Sequence, residues 1–66
     1  MIQSARKALG YSQEYMAYRI GMSIKTYARK ENEPSKFWFN ELKDVCRLLD
    51  LDENEVSEWI FSTLND

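Results

Sequence analysis

Histidine is absent from this 66-residue chain, so no His-based catalytic triad and no His–metal site can form within it. Cysteine is nearly absent. The single thiol, Cys46, allows neither an internal disulfide nor a zinc-binding cysteine cluster. That pattern suits a reducing compartment, and a cytoplasmic setting is expected. Apolar runs are short, well under the roughly 18 residues of a membrane span. The first seven residues have no apolar stretch of signal-peptide length behind them. No membrane partner is therefore expected. Gly10, Gly21 and Pro34 are the only strong breakers, and their scarcity favours helices over a many-turned β fold. Without a metal-binding cluster or a phosphate-binding glycine loop, no metal, cofactor or small-molecule ligand is expected, and an enzyme is a poor reading.

What is present fits one small globular domain spanning residues 1–66. A domain of this size buries only about 60% of its unfolded surface, so its core must be efficient. Charge is unevenly placed. Residues 1–36 carry seven bases against three acids, whereas residues 37–66 carry two bases against eight acids. The net charge of −2 thus hides a basic front half that could face a polyanion and an acidic back half that would turn away from it. Taken alone, this asymmetry is no more than a mixed solvated surface.

Periodicity and capping signals divide the chain into five helices. Ile2, Ala5 and Leu9 mark one face of a short first helix, and Gly10 follows its end. Ser12 reads as the N-cap of a helix over 13–20, with Tyr11 and Met16 at the staple positions and Met16, Ala17 and Ile20 inward. Gly21 ends it. Met22, Ser23 and Tyr27 repeat the same logic for a helix over 24–31. Two capped helices joined through one glycine form the αα turn of a helix-turn-helix. Residues 32–36 are a loop broken by Pro34. Phe39, Leu42, Val45, Cys46 and Leu49 mark helix four. Asp52 caps helix five with Glu55 at N3, and that helix carries Val56, Trp59, Ile60 and Leu64. Asp50, Asp52 and Asn54 imitate the start of a calcium loop. Glu55 at its glycine position and Phe61 at its closing acid position exclude that reading.

Residues 13–31 read QEYMAYRIGMSIKTYARKE. This segment resembles the Cro and phage-repressor type of helix-turn-helix domain, the xenobiotic-response-element family. Gln13, Met16, Ala17, Ile20, Gly21, Met22, Ser23, Tyr27 and Glu31 match its pattern. The resemblance runs on ungapped through Phe39, Leu42, Val45, Leu49 and Leu51, and upstream takes in Ile2, Arg6 and Gly10. It implies an all-α, compact five-helix bundle of the lambda-repressor-like kind, with double-stranded DNA as partner. It also implies roles for particular residues. Gln13, at the start of helix two, would grip a phosphate. Lys25 and Arg29 match base-reading positions, where a long cation suits guanine O6 and N7. Ile24 matches a base-facing position and could touch a thymine methyl. Ser23, Thr26 and Ala28 share that exposed side of helix three, and Lys36 matches a contact to the DNA backbone. Arg6 and Glu31 match a structural ion pair that docks helix one on helix three.

Three departures stand out. Lys30 occupies a usually apolar position, so it either snorkels or displaces helix three. Glu33 stands at the usual turn glycine, leaving Asn32 to take the left-handed conformation. Trp38 replaces the usual small cap of helix four. The aromatics raise a further choice. Phe39 matches a core position, and Phe37 and Trp38 either cover the core or form a partner surface, core cover being favoured. Trp59 and Phe61, two residues apart, cannot face the same way, and helix five with these aromatics is the candidate homodimer seam. The expected function is sequence-specific duplex binding by a small bacterial or phage transcriptional regulator, a repressor acting by operator occupancy. The alternative is a protein-interaction module on the same scaffold, antitoxin-like or antirepressor-like, without DNA binding of its own.

Overall fold

The computed structural model describes residues 1–64. Five helices follow one another: α1 (Ile2–Ala8), α2 (Gln13–Ile20), α3 (Ile24–Asn32), α4 (Phe39–Leu49) and α5 (Glu53–Leu64). One 3-10 turn, Pro34–Lys36, links α3 to α4, and no strand occurs among the described residues. The fold is all-α, as the sequence pattern indicates. Among the described residues no helix is long and apolar enough to cross a membrane.

The start signals act locally, as read. Ser12 and Ser23 are extended, and each hydroxyl oxygen accepts a backbone N–H three residues on: Tyr15 at 2.9 Å and Thr26 at 3.1 Å. Asp52 accepts the Glu55 N–H at 3.0 Å to open α5. Between the two serine caps, Gly21 stands at φ +86, and a Cβ placed there would meet nothing within 4 Å. Conformation, not space, is what requires glycine at that joint.

α2 packs on α3, α1 and α2 both rest on α4, and α4 packs on α5. Ile2, Met16, Ala17, Tyr27, Phe37, Val45, Cys46, Leu49 and Val56 form the buried centre. Leu9, expected inward, is half exposed, because α1 ends at Ala8 and the chain has begun to turn toward Gly10.

Two sequence expectations are corrected around the loop. Asn32 is not left-handed. It is the last residue of α3, and the chain leaves through Glu33 at φ −128, ψ 80. Pro34 disfavours the helical region for the residue before it, so a non-helical Glu33 with negative φ makes the exit and no left-handed residue is needed. Asp50, after α4, is the one non-glycine residue with positive φ among those described. Phe39 is not in the core either: it is 73% exposed, and Phe37 takes the buried place at 8%. The 3-10 turn hands over to an extended Phe37, whose ring centroid lies 6.0 Å from that of Tyr27. Phe39 opens α4 on the outside, with the Lys43 ammonium 5.4 Å from its ring centre.

Candidate nucleic-acid interface

Helix α3 is anchored along a narrow line. Tyr27 and Glu31, four residues apart and so one above the other on the helix, are its buried residues. On the other side Ile24, Lys25 and Arg29 are exposed, flanked by the half-buried Thr26 and Ala28. A helix held this way offers its first two turns to a groove wide enough to accept it. Ser23 Oγ, besides accepting the Thr26 N–H, donates to Thr26 Oγ1 at 2.8 Å. The Ser23 proton is thereby used, and the Thr26 hydroxyl is the one with a proton to give.

The inner end of α3 is held by a buried ion pair. Arg6 Nε donates to Glu31 Oε2 at 2.8 Å, and Arg6 Nη2 to Glu31 Oε1 at 3.0 Å. Arg6 Nη1 donates to the Tyr11 carbonyl at 2.8 Å, in the segment that leads into α2. One guanidinium thus joins α1, the approach to α2, and the end of α3. Gln13 enters the same network, its Nε2 donating to Glu31 Oε1 at 3.2 Å. Burial pushes the Glu31 carboxyl up, but hydrogen bonds led by that from Arg6 outweigh it and hold it below its ordinary value. The hydrogen bond to Glu31 in turn raises Arg6 against the opposing effect of burial. The Tyr27 hydroxyl is buried beside this pair, close enough to feel its charge, yet no described group meets hydrogen-bond geometry with it. Burial pushes that hydroxyl's pKa up, and it stays protonated.

Lys30 does not displace α3. Its ammonium is 2.7 Å from Glu41 Oε1 and 5.0 Å from the centre of the Trp38 ring. The stem is buried as a snorkelling lysine would have it, but the charge ends on a carboxylate rather than in water. The same Glu41 oxygen accepts the Trp38 N–H at 2.8 Å. Trp38 has no side-chain acceptor with which to cap α4, and Glu41 supplies half of the missing cap from inside the helix.

Gln13, Ala28 and Arg29 border one open cavity of about 390 Å³ together with Gln3, Glu31 and Asn32. Lys25, Ile24 and Ser23 lie outside it at the start of α3, and Lys36 is exposed at the end of the 3-10 turn. Gln3 and Asn32 were not singled out from the sequence. Single amides carry no periodic signal, although Gln3 precedes Arg6 by three residues and so shares its side of α1. The aromatics separate. Phe37 belongs to the core and so is no partner surface, whereas Trp38 is 68% exposed. Trp59 is half-buried and borders a second cavity with Ile2 and Pro34, while Phe61 is exposed on the other side of α5. Cys46 is buried and burial pushes its thiol up, which leaves it a small core residue rather than a nucleophile. No group of acidic, cysteine or histidine side chains among the described residues could hold a metal ion.

Neither a curated protein nor a solved structure matches this chain. A helix-turn-helix family model of the Cro/C1 type matches residues 2–56, which takes in all of α1 to α4 and the first turn of α5. Within the matched residues lie the two serine-capped helices hinged at a left-handed glycine, the second bearing exposed cations. The chain therefore belongs to the Cro/C1-type helix-turn-helix family, the xenobiotic-response-element family of DNA-binding regulators.

Proposed function

We propose that this protein binds a specific duplex sequence and regulates transcription by occupying it, as a cytoplasmic repressor. The observation that carries the reading is the outer side of α3, where Ile24, Lys25 and Arg29 stand exposed on a helix fixed from behind by Tyr27 and Glu31. Lys25 and Arg29 read base edges, Ile24 touches thymine methyls, and Thr26 with Ser23 and Ala28 lines the contact. Gln13 at the start of α2 and Lys36 beyond α3 meet phosphates, which set orientation but carry no sequence information.

One molecule presents one such helix and is 30 Å in its longest dimension. It reads only a few base pairs, so two copies on half-sites about 34 Å apart are required. The seam proposed for the homodimer is α5, with Trp59 and Phe61. Duplexes selected from a random pool, followed by a salt series, test the reading. Affinity for the selected sequence should fall steeply with salt as counterions are released. Sedimentation should give two chains per operator. No retention of duplex at low salt would refute DNA binding, and one chain per operator would refute the dimer.

A second reading has its own observation: Trp38 and Phe39, adjacent and both mostly exposed, lie at the entry to α4. On a chain that retained no DNA they would mark a protein-interaction module.

A further inference from the structure

We propose that Glu31 is a positioning residue for DNA binding, which it serves by setting the polarity of the Gln13 amide. This rests on the reading of Gln13 as a phosphate contact. A glutamine amide has two chemically opposite ends, and only the NH2 end can donate to a phosphate. Left free at a helix start, the side chain would present either end. Here Gln13 Nε2 faces Glu31 Oε1 at 3.2 Å, and a carboxylate accepts only from the NH2 end. One proton of Nε2 goes to Glu31, and the second is left to donate to an anion.

Arg6 makes this arrangement rigid. It engages both oxygens of Glu31, so the carboxylate cannot swing away from Gln13. It also neutralises a negative charge that would otherwise repel an approaching phosphate. The acceptor Oε1 is shared between Arg6 and Gln13, which is within the capacity of a carboxylate oxygen. The cavity that Gln13 borders with Arg29 is open to solvent, and Glu31 is among its lining residues. The ion pair that docks α1 on α3 thereby also prepares the donor at the start of α2.

The test compares four chains: parent, Gln13→Ala, Glu31→Gln and the double variant. Each is titrated with a selected duplex and an unrelated one, at a temperature where melts show all four folded. A glutamine at 31 can turn either end toward Gln13, so the choice of end is lost. Gln13→Ala should weaken both duplexes alike by about tenfold, the worth of one hydrogen bond to a charged group. Glu31→Gln should weaken both by roughly three- to tenfold, with relative base preference unchanged. The double variant should bind no more weakly than Gln13→Ala alone, since a residue acting through Gln13 has nothing left to position. A Glu31→Gln chain with parental affinity, or losses that multiply in the double variant, would overturn the proposal while leaving DNA binding intact. Should the parent bind no duplex at all, the functional reading itself falls.

If Glu31→Gln fails to fold, the unaltered chain decides. In its DNA complex, the Gln13 side-chain amide protons should exchange slowly with water, one held by Glu31 and the other by phosphate. Fast exchange of both would overturn the proposal.

Discussion

Helices α2 and α3 open with the same device, a serine whose hydroxyl accepts the N–H three residues on, yet they are held in opposite ways. α2 buries Met16 and Ala17, two apolar neighbours without charge. α3 buries Tyr27 and the carboxylate of Glu31. A helix that needs an outward polar side can afford only a narrow inward line, and this one makes up for the missing apolar area with an ion pair. Capping is thus a property of local sequence, whereas the attachment of each helix depends on what lies across from it.

The comparison breaks most severely at Glu31. Glu31→Ala leaves Arg6 buried and unpaired, which should cost about 3–5 kcal/mol, a large part of the stability of so small a domain. Thermal or urea unfolding measures it, and a loss under 1 kcal/mol would mean that α3 is held by Tyr27 alone. The same pair predicts a pH dependence. The folded carboxyl lies below its ordinary value of 4.5, so its contribution is fully present above that pH. It is lost as pH falls through the lower folded value. Arg6, raised further by its hydrogen bond to Glu31, stays charged throughout this range. Urea midpoints should therefore fall on acidification below pH 4.5, and less so for Glu31→Gln.

On the outer side of α3 the expectation reverses. Lys25→Ala and Arg29→Ala should leave the melting curve nearly unchanged, yet each should cost about 1–3 kcal/mol on the selected operator and relax base preference. An Arg29→Ala chain that binds its operator like the parent would show that the reading helix is misplaced. The caps sharpen the likeness between the two helices. Ser12→Ala and Ser23→Ala should each cost about 1 kcal/mol of stability, and Ser23→Ala should also weaken DNA binding if the start of α3 lies in the groove. The smallest effect belongs to the paired change of Lys30→Leu with Glu41→Gln. It removes both charges together and keeps an acceptor for the Trp38 N–H, so stability should change by less than about 1 kcal/mol. A loss of several kcal/mol would make the Lys30–Glu41–Trp38 contact the main tie between α3 and α4.

The sequence by itself determined the number of helices, the start of α2 and of α3, the glycine hinge and the cap of α5. Each of these depends on groups within three or four residues of one another, so the signal sits inside one window of sequence. The pairing of Arg6 with Glu31 came from family resemblance, since 25 residues separate the two. Only the tertiary structure decided between Phe37 and Phe39, because a 3-10 turn shifts which residue faces inward and no periodicity spans the break. It likewise sent Lys30 to Glu41, gave the left-handed place to Asp50, and brought Gln13 onto Glu31. Those outcomes were set by what the fold placed opposite each side chain, and a single strand of sequence does not carry that relation.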